Sequence, residues 1–536
     1  MTAASVLPPA LNRWFADRGW RLHEHQIAMM AEDAGGRSAL LISPTVVGKT
    51  LEGFLPSLDE LQAAPTDGLH TLYISPLKAL AVDVHRNLLD PIAGAGLAIS
   101  CETRTGDTPA AKRKRQRAEP PQILMTTPES LALLLSYPDA PRFFGGLQRV
   151  VVDELHALAG VKRGDLLALG LTRLASLAPD HRRVGLSATV ADEGSLIAWL
   201  SKFGRSDDPN VALVRGRAAA AARVEILETE ARLPWSGHMA THALEEVYAR
   251  VKNAGVSIVF VNTRAQAEIV FQALWRMNDE NLPIALHHGS LAREQRRKVE
   301  AAMAAGALRA VVATSSLDLG IDWAAVDLVI QIGAPKGASR LIQRIGRSNH
   351  RLDAPSEALV VPANRFEVLE CQAAIAAIEA GELDGETKRT GGLDVLAQHL
   401  MGRACSSAFD AAETFAEVRR AAPYAALARA DFDDVLGFVE NGGYALRAYD
   451  RHTRIQQGDD GLWRVADRAA GQAYRMNVGT IVEAETLKVK LRGGRYLGEV
   501  EEWFVQGLTP GDTFIFSGQV LRYERIKDLT LEATRA

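Results

Sequence analysis

Three groups of residues in this chain have the types and spacing to handle a phosphate ester. The first is Gly48-Lys49-Thr50, which follows the apolar run Ala39-Leu-Leu-Ile42 and the stretch Ser43-Pro-Thr-Val-Val47. At such a strand-to-helix turn, backbone N–H groups converge on phosphate oxygens, a Lys reaches the outer phosphates and a Thr hydroxyl holds Mg²⁺. Gly48, Lys49 and Thr50 fit those tasks, so the chemistry implied is binding of ATP with Mg²⁺. A lone Gly-Lys-Thr is a weak signal, and its weight depends on partners. The second group is Asp153-Glu154, at the end of the Val150-Val-Val152 run. An Asp there can hold the same Mg²⁺, and an adjacent Glu can orient and deprotonate an attacking water. The third is Arg344 and Arg347 in Gln343-Arg-Ile-Gly-Arg347. Three residues apart, they can share one helix face and stabilise charge on a γ-phosphate. Gln26 lies upstream of the loop, where an amide can bond both the donor and the acceptor edge of adenine. Each group alone has a plainer reading: a helix-end Gln, a solvated strand end, a surface Arg pair.

These groups need elements that bring them together. Apolar runs alternate with helical stretches: Thr71–Ser75, Ile123–Thr126, Val150–Val152 and Val184–Thr189 read as strands. That rhythm means a parallel sheet covered on both faces, with functional groups at the carboxyl ends of strands. Residues 10–34 read as a helix with Trp14, Phe15 and Trp20 on its apolar side. A second block repeats the rhythm at Ser257–Arg264, Ile284–Ser290, Arg309–Thr314 and Leu328–Gly333, without a phosphate loop of its own. A sheet that lacks the loop but carries the arginines points to a site built between two domains. From about Leu393, helices at Val395–Cys405 and Asp431–Val439 lead to a hairpin signal at Asp459-Asp-Gly461. That order suits a winged-helix module. After Arg475 the chain turns β-rich, and its strand edges are expected to be unpaired. The fold class expected is α/β, with two parallel-sheet lobes in tandem, a winged-helix domain and an incomplete, truncated β-rich domain. Its boundaries are expected at residues 1–208, 209–380, 381–465 and 466–536.

The bulk properties set limits. A chain of 536 residues is too long for one ordinary domain, and 47% hydrophobic with 24% charged residues is globular composition. A net charge of -4 gives no basic surface overall, although local basic channels remain compatible with it. Cys101, Cys371 and Cys405 are too scattered for a metal site, which suits a reducing, cytoplasmic setting. Neither a signal peptide nor a membrane segment is expected. His287-His288 lacks acid or Cys partners at ligand spacing, and the basic run Lys112–Arg117 reads as a solvated helix face.

Taken in order, the segments resemble a known family. Gln26, Gly48-Lys49-Thr50, Ser75-Pro-Leu-Lys78, Thr127-Pro-Glu129, Asp153-Glu-Leu-His156, Ser187-Ala-Thr189, Thr314–Asp322 and Gln343–Arg347 resemble superfamily 2 DExH-box helicases. Leu72–Asp83, Arg104-Thr-Gly-Asp-Thr108, Ala334–Arg340 and Pro362–Glu367 are similar to the Lhr (large helicase-related) group, in its bacterial ligase-associated DNA damage response branch. The resemblance covers residues from about 7 to 525. It implies two RecA-like lobes, ATP with Mg²⁺, and movement 3′ to 5′ on single-stranded DNA in repair. It allows a DNA:RNA hybrid as substrate, and a DNA ligase and nuclease of a repair operon as partners. It also implies roles for residues. Ser187 and Thr189 would couple hydrolysis to domain movement. Gln343, Arg344, Arg347 and Asp322 would complete the nucleotide site from the second lobe. Pro76, Lys78, Arg104, Thr127, Pro128, Thr263, Arg264, Gly289 and Thr314 would lie on the backbone of one strand, a sequence-tolerant grip.

Two departures stand out. Val46 replaces the usual loop Gly, and a β-branched residue resists the tight turn that aims consecutive amides at one anion. His350 stands where many helicases carry a third Arg, as is normal in the Lhr group. The loop leaves a rival from another class: a nucleic-acid clamp that binds but hydrolyses poorly because of Val46-Val47. An RNA- or hybrid-remodelling ATPase would share every catalytic motif.

Overall fold

The computed structural model describes residues 7–43, 49–217, 222–318, 326–348, 356–385, 389–443, 446, 452–481 and 486–536, with the backbone alone of 49, 50 and 79. Val46, Val47, Gly48, Asp322 and His350 lie outside the described residues, as do the side chains of Lys49 and Thr50. The chain divides into two units, the first drawn from described residues of 7–217 and 385–481, the second from those of 218–384 and 482–536.

In the first unit the expected apolar runs become strands β1 (Ser38–Ile42), β2 (Thr71–Ile74), β3 (Cys101–Arg104), β4 (Ile123–Thr126), β5 (Arg149–Val152), β6 (Arg182–Ser187) and β7 (Val211–Arg215). They form one parallel sheet in the order β3-β4-β2-β5-β6-β1-β7. β1, β2, β4 and β5 are buried along their whole length, which is why they read as unbroken apolar runs rather than alternating ones. β7 pairs with β1, so the boundary expected at 208 falls inside this lobe. The single helix expected over residues 10–34 is two, Pro9–Asp17 and Glu24–Ala34, with Gly19 at φ +67° between them.

The winged-helix region belongs to this unit. Its helix Leu393–Ser406 packs on Pro128–Leu135 and Lys162–Leu177, so Leu396, Leu400 and Phe432 share one core with Leu131, Leu167 and Leu171. Each such fully buried side chain contributes about 1.5–3 kcal/mol by leaving water. The hairpin signal is met by the antiparallel pair Ile455–Gln457 and Trp463–Val465, and a further helix, Arg468–Met476, packs on Leu393–Ser406. The boundary expected at 465 therefore cuts the module short.

In the second unit, β8 (Arg223–Ile226), β9 (Ser257–Phe260), β10 (Ile284–His287), β11 (Ala310–Ala313), β12 (Leu328–Ile332) and β13 (Glu357–Val361) form a parallel sheet ordered β10-β11-β9-β12-β13-β8. The hairpin of the first unit is β14 (Ile455–Gln457) and β15 (Trp463–Val465), with Gly461 at φ +76°. The β-rich region is a five-stranded sheet ordered β17-β16-β20-β19-β18: β16 (Thr486–Leu491), β17 (Tyr496–Glu501), β18 (Thr513–Phe516), β19 (Gln519–Lys527) and β20 (Thr530–Arg535). It has its own core, including Val489, Leu497, Phe514, Leu521 and Leu531. The edge strand β17, expected to be unpaired, meets the second lobe through a bridge between Gly498 and Leu291. Among the described residues, no helix is long and apolar enough to cross a membrane.

Candidate functional site

Three strand ends meet in the first lobe. β5, β6 and β1 are neighbours, with Val152 opposite Gly185 and Ile42 opposite Ser187. β1 therefore ends beside the Asp153-Glu154 and Ser187 ends, and the Ser43 N–H donates to the Ser187 carbonyl at 3.1 Å. Gly185 in β6 leaves room for the helices on that face, since a Cβ there would stand 2.5 Å from the Leu200 side chain and 2.9 Å from that of Leu155.

Asp153 is buried and, among the described residues, accepts hydrogen bonds from the Tyr73 hydroxyl and from the Glu154 N–H at 2.8 Å. Burial, and then the charge of Asp153, push the Tyr73 phenol well above its ordinary range, so it stays a donor. Two donors fix the plane of a carboxylate that can accept about four such bonds. Glu154 sits in the left-handed region, φ 47°, a conformation that costs a non-glycine residue about 1–2 kcal/mol. Its Oε2 lies 3.5 Å from His156 Nε2. The Ala188 N–H donates to His156 Nδ1 at 3.2 Å, so Nδ1 is the acceptor and the ring proton sits on Nε2, towards Glu154. Ser187 Oγ lies 3.2 Å from the same Nδ1. His156 thus joins the acid pair to Ser187-Ala188, while Thr189 is exposed. His156 was not among the site residues expected. Its signal was the last letter of the Asp153-Glu-Leu-His156 segment.

Gln26 is buried, and its Oε1 accepts the His23 N–H at 2.9 Å, closing the first turn of Glu24–Ala34. Next to it, His25 Nε2 bonds Glu52 Oε1 at 2.6 Å and ties that helix to Lys49–Ala63. The hydrogen bond from Glu52 raises the His25 pKa against the opposing effect of burial.

The strand-contact residues of this lobe divide. Lys78 is exposed, 3.5 Å from Asp107. Pro76, Thr127 and Pro128 are buried, with the Thr127 hydroxyl 3.3 Å from Ser130 Oγ. Arg104 corrects the expectation of a backbone contact. Only 2% exposed, its guanidinium donates to the Arg113 carbonyl at 2.8 Å, and burial lowers its pKa to about 10. It is an internal tie between β3 and the helix Ala110–Ala118. In that helix, Lys112 and Arg115 pair with Glu102 and Arg117 with Asp139, so part of the basic run's charge is met by acids of its own lobe. Sequence reasoning missed Arg163. It grips Glu129 with two nitrogens, one of them at 2.9 Å, and donates to the Pro76 carbonyl at 2.6 Å. One guanidinium therefore joins the Ser75–Lys78 and Thr127–Glu129 segments. Burial pushes the Glu129 carboxyl up, but Arg163 outweighs it and the pKa ends below the ordinary value. No spacing signals a pair 34 residues apart.

In the second lobe the helix Ala338–Ile345 carries Gln343, half-buried, and Arg344. Arg344 and Arg347, expected to act on a γ-phosphate, are both 2% exposed. Arg344 grips Asp318 at 2.8 and 3.3 Å, donates to Gln331 Oε1 and lies 4.7 Å over the Phe260 ring. Arg347 donates to the Asp318 carbonyl at 2.9 Å. Buried cations need such partners, and one Asp, unforeseen as a site residue, serves both. Thr263 caps Arg264–Met277, accepting the Gln266 N–H at 3.1 Å. Arg264 and Gly289 are exposed and adjacent, while Thr314 is buried. His287 pairs with Glu300 at 3.1 Å and His288 with Glu268 at 3.0 Å, as core histidines do. Among the described residues, no cluster of His, Cys, Asp or Glu could hold a metal ion.

Comparison with known proteins now bears on this geometry. Three family models match in succession: DEAD/DEAH box helicase over residues 23–196, helicase conserved C-terminal domain over 239–351, and the winged helix domain of large helicase-related protein over 376–536. The "ATP-dependent helicase Lhr-Core" of Methanothermobacter thermautotrophicus is 33% identical over 99% of this chain and 64% of its own length. The chain belongs to the Lhr family. The Mycobacterium smegmatis helicase Lhr, solved with ssDNA and AMP-PNP, superposes with a TM-score of 0.79 at 34% identity, covering 91% of this chain and 64% of that one. The "Lhr helicase/ probable uracil glycosylase" of Mycolicibacterium smegmatis is 35% identical over 89% of this chain and 35% of its own length. The two parallel sheets are therefore RecA-like lobes of Lhr type, followed by the winged helix. The chain spans under two thirds of the Lhr-Core relatives' length, 64% and 62% for two of them.

Proposed function

We propose that the chain is an ATP-driven motor on single-stranded or partly duplex DNA, moving 3′ to 5′ in DNA repair in the cytoplasm. The observation that carries this reading is the run of polar contacts from Asp153-Glu154 through His156 to Ser187-Ala188 beside the end of β1. It is what an ATPase that turns hydrolysis into movement needs: a fixed metal-side acid, a base, and a wire from the base to an adjoining strand. The Mycobacterium smegmatis relative, solved with ssDNA and AMP-PNP, supports the same substrates here. Mg²⁺ supplies charge neutralisation on the phosphates. Asp153 would hold it through water and Thr50 directly, with Gly48 and Lys49 on the phosphates and Gln26 and Asp322 at the nucleotide's margins. Tyr73 keeps Asp153 oriented, and Glu154 takes the proton of the attacking water. Gln343, Arg344 and Arg347 act from the second lobe once the arginines exchange Asp318 for phosphate. Lys78, Thr263, Arg264 and Gly289 contact the strand backbone, with Pro76, Thr127, Pro128 and Thr314 shaping their segments. Ser187 and Thr189 couple the two events.

Val46-Val47 favours a second reading, a clamp that grips DNA but turns over ATP poorly. ATP turnover with and without single-stranded DNA, in this chain and in Val46→Gly/Val47→Ser, separates the two. Weak turnover here with a clear gain in the double variant would favour the clamp. Equal, robust and DNA-stimulated rates in both would remove the clamp reading. Stimulation by RNA but not DNA would replace the substrate class.

A further inference from the structure

The β-rich region of Tyr496–Arg535 is built into the second lobe, and the contacts converge on residues that the proposed function places against the strand. β17 extends over Ser290–Ala292, with the Ala292 N–H donating to the Leu497 carbonyl at 2.7 Å and the Glu499 N–H to the Ser290 carbonyl at 2.8 Å. Gly498 permits this approach, since a Cβ there would stand 1.9 Å from Ser290 O. Ser290 directly follows Gly289. A second contact anchors the hairpin between β18 and β19. The Gly518 N–H donates to Glu268 Oε2 at 2.7 Å, the Ser517 N–H donates to Oε1 at 2.5 Å, and His288 bonds the same Oε1 at 3.0 Å. Glu268 is only 3% exposed, so this carboxylate is committed to docking. Residue 518 must also be Gly, because a Cβ would meet the Phe271 ring at 2.7 Å.

The third contact lies at the edge of the strand-contact surface. Arg264 Nη1 pairs with Glu501, the last residue of β17. Its other terminal nitrogen, Nη2, lies 3.9 Å from where a Cβ on Gly289 would be. One prong of the fork is thus tied to a carboxylate and the other is held over the backbone of the second strand-contact residue. An unrestrained Arg at 48% side-chain exposure would sample many rotamers, each a loss to be made up on binding.

We propose that Glu501 is a positioning residue for Arg264: the β-rich region, latched by Glu268, supplies the carboxylate that sets the Arg264 guanidinium for a strand phosphate. This rests on the reading of the chain as a DNA motor. It makes a prediction opposite in sign to simple electrostatics. Removing a negative charge beside a phosphate site should tighten binding if charge alone matters, and weaken it if orientation matters.

The experiment is fluorescence anisotropy of a labelled oligothymidylate with the full chain, Glu501→Gln, Arg264→Ala and the double variant. Glu501→Gln is expected to weaken binding about threefold, the scale of one exposed ion pair. The same change in the Arg264→Ala background should have no further effect, because Glu501 acts through Arg264. Tighter or unchanged binding in Glu501→Gln, or equal effects in both backgrounds, overturns the inference and leaves the motor reading standing. No binding by the parent chain overturns both. Glu268→Gln tests the latch separately: faster amide exchange at Ser517 and Gly518 should accompany weaker binding. Faster exchange with unchanged affinity would show that the latch does not hold Glu501 in place.

Discussion

The two lobes hold their functional charges in opposite ways. In the first, Asp153 and Glu154 sit at a strand end, where Tyr73 and the Glu154 N–H donate to Asp153 and His156 Nε2 lies 3.5 Å from Glu154. In the second, Arg344 and Arg347 are folded into the lobe and share Asp318, one through the carboxylate and one through the carbonyl. The difference follows from the cost of burial. A carboxylate at a strand end needs few donors and stays usable, whereas a buried guanidinium must be paired or it destabilises the fold. On the proposed reading, the acids are set in advance, and the arginines would have to leave Asp318 to meet a phosphate.

The largest effect should come from the first lobe. Glu154→Gln is expected to lower ATP turnover by about 10²- to 10⁴-fold, the range for a general base, while nucleotide binding is retained. Turnover assays beside binding of a fluorescent ATP analogue measure both. Persistent turnover would assign the base elsewhere and erase the contrast between the lobes.

For the second lobe the expected effect is on stability. Asp318→Asn leaves the Arg344 guanidinium buried beside a neutral amide, and breaking such a pair costs about 3–5 kcal/mol. Urea unfolding followed by circular dichroism reads this directly. A cost near zero would mean that Arg344 relaxes to solvent readily, and that the arginines are not locked. His156→Ala gives the matching test in the first lobe. It should cost only about 1 kcal/mol, the scale of a hydrogen bond, yet lower the stimulation of turnover by DNA, because it cuts the link from Glu154 to Ala188. Unchanged stimulation would reduce His156 to a packing role.

These contrasts also mark how far the chain could be read in advance. Strands such as Leu40–Ile42 or Val150–Val152 were legible because burial on both faces leaves unbroken apolar runs. The acids that follow were legible because strand ends are where function collects. Partnerships across long separations were not. Nothing local distinguishes Arg104, which turns inward to the Arg113 carbonyl, from Lys78, which stays exposed. The Arg163–Glu129 grip and the Asp318–Arg344 pair arise only when helices are laid on sheets, and β7 fell beyond the boundary expected at 208 because its partner β1 lies far away in sequence. The docking of β17 and of the β18–β19 hairpin on the second lobe was hidden for the same reason.

The smallest prediction sharpens the comparison through pH. The first lobe's helix Glu24–Ala34 is tied to Lys49–Ala63 by His25 and Glu52, a link that titrates, unlike the Arg–Asp pairs of the second lobe. The Glu52 hydrogen bond raises the folded pKa of His25 above its unfolded value of about 6.5. The stabilisation is therefore complete below that unfolded value and is lost as pH rises through the folded one. The His25 side chain is 10% exposed, and the gain expected is about 1 kcal/mol, the scale of one hydrogen bond. Thermal unfolding from roughly pH 6 to 8 should show the parent chain losing stability relative to Glu52→Gln, whose His25 has no charged partner at this contact. Parallel curves would mean that the first lobe's link is as insensitive to pH as the second lobe's, and that the two lobes differ only in how deeply their charges are buried.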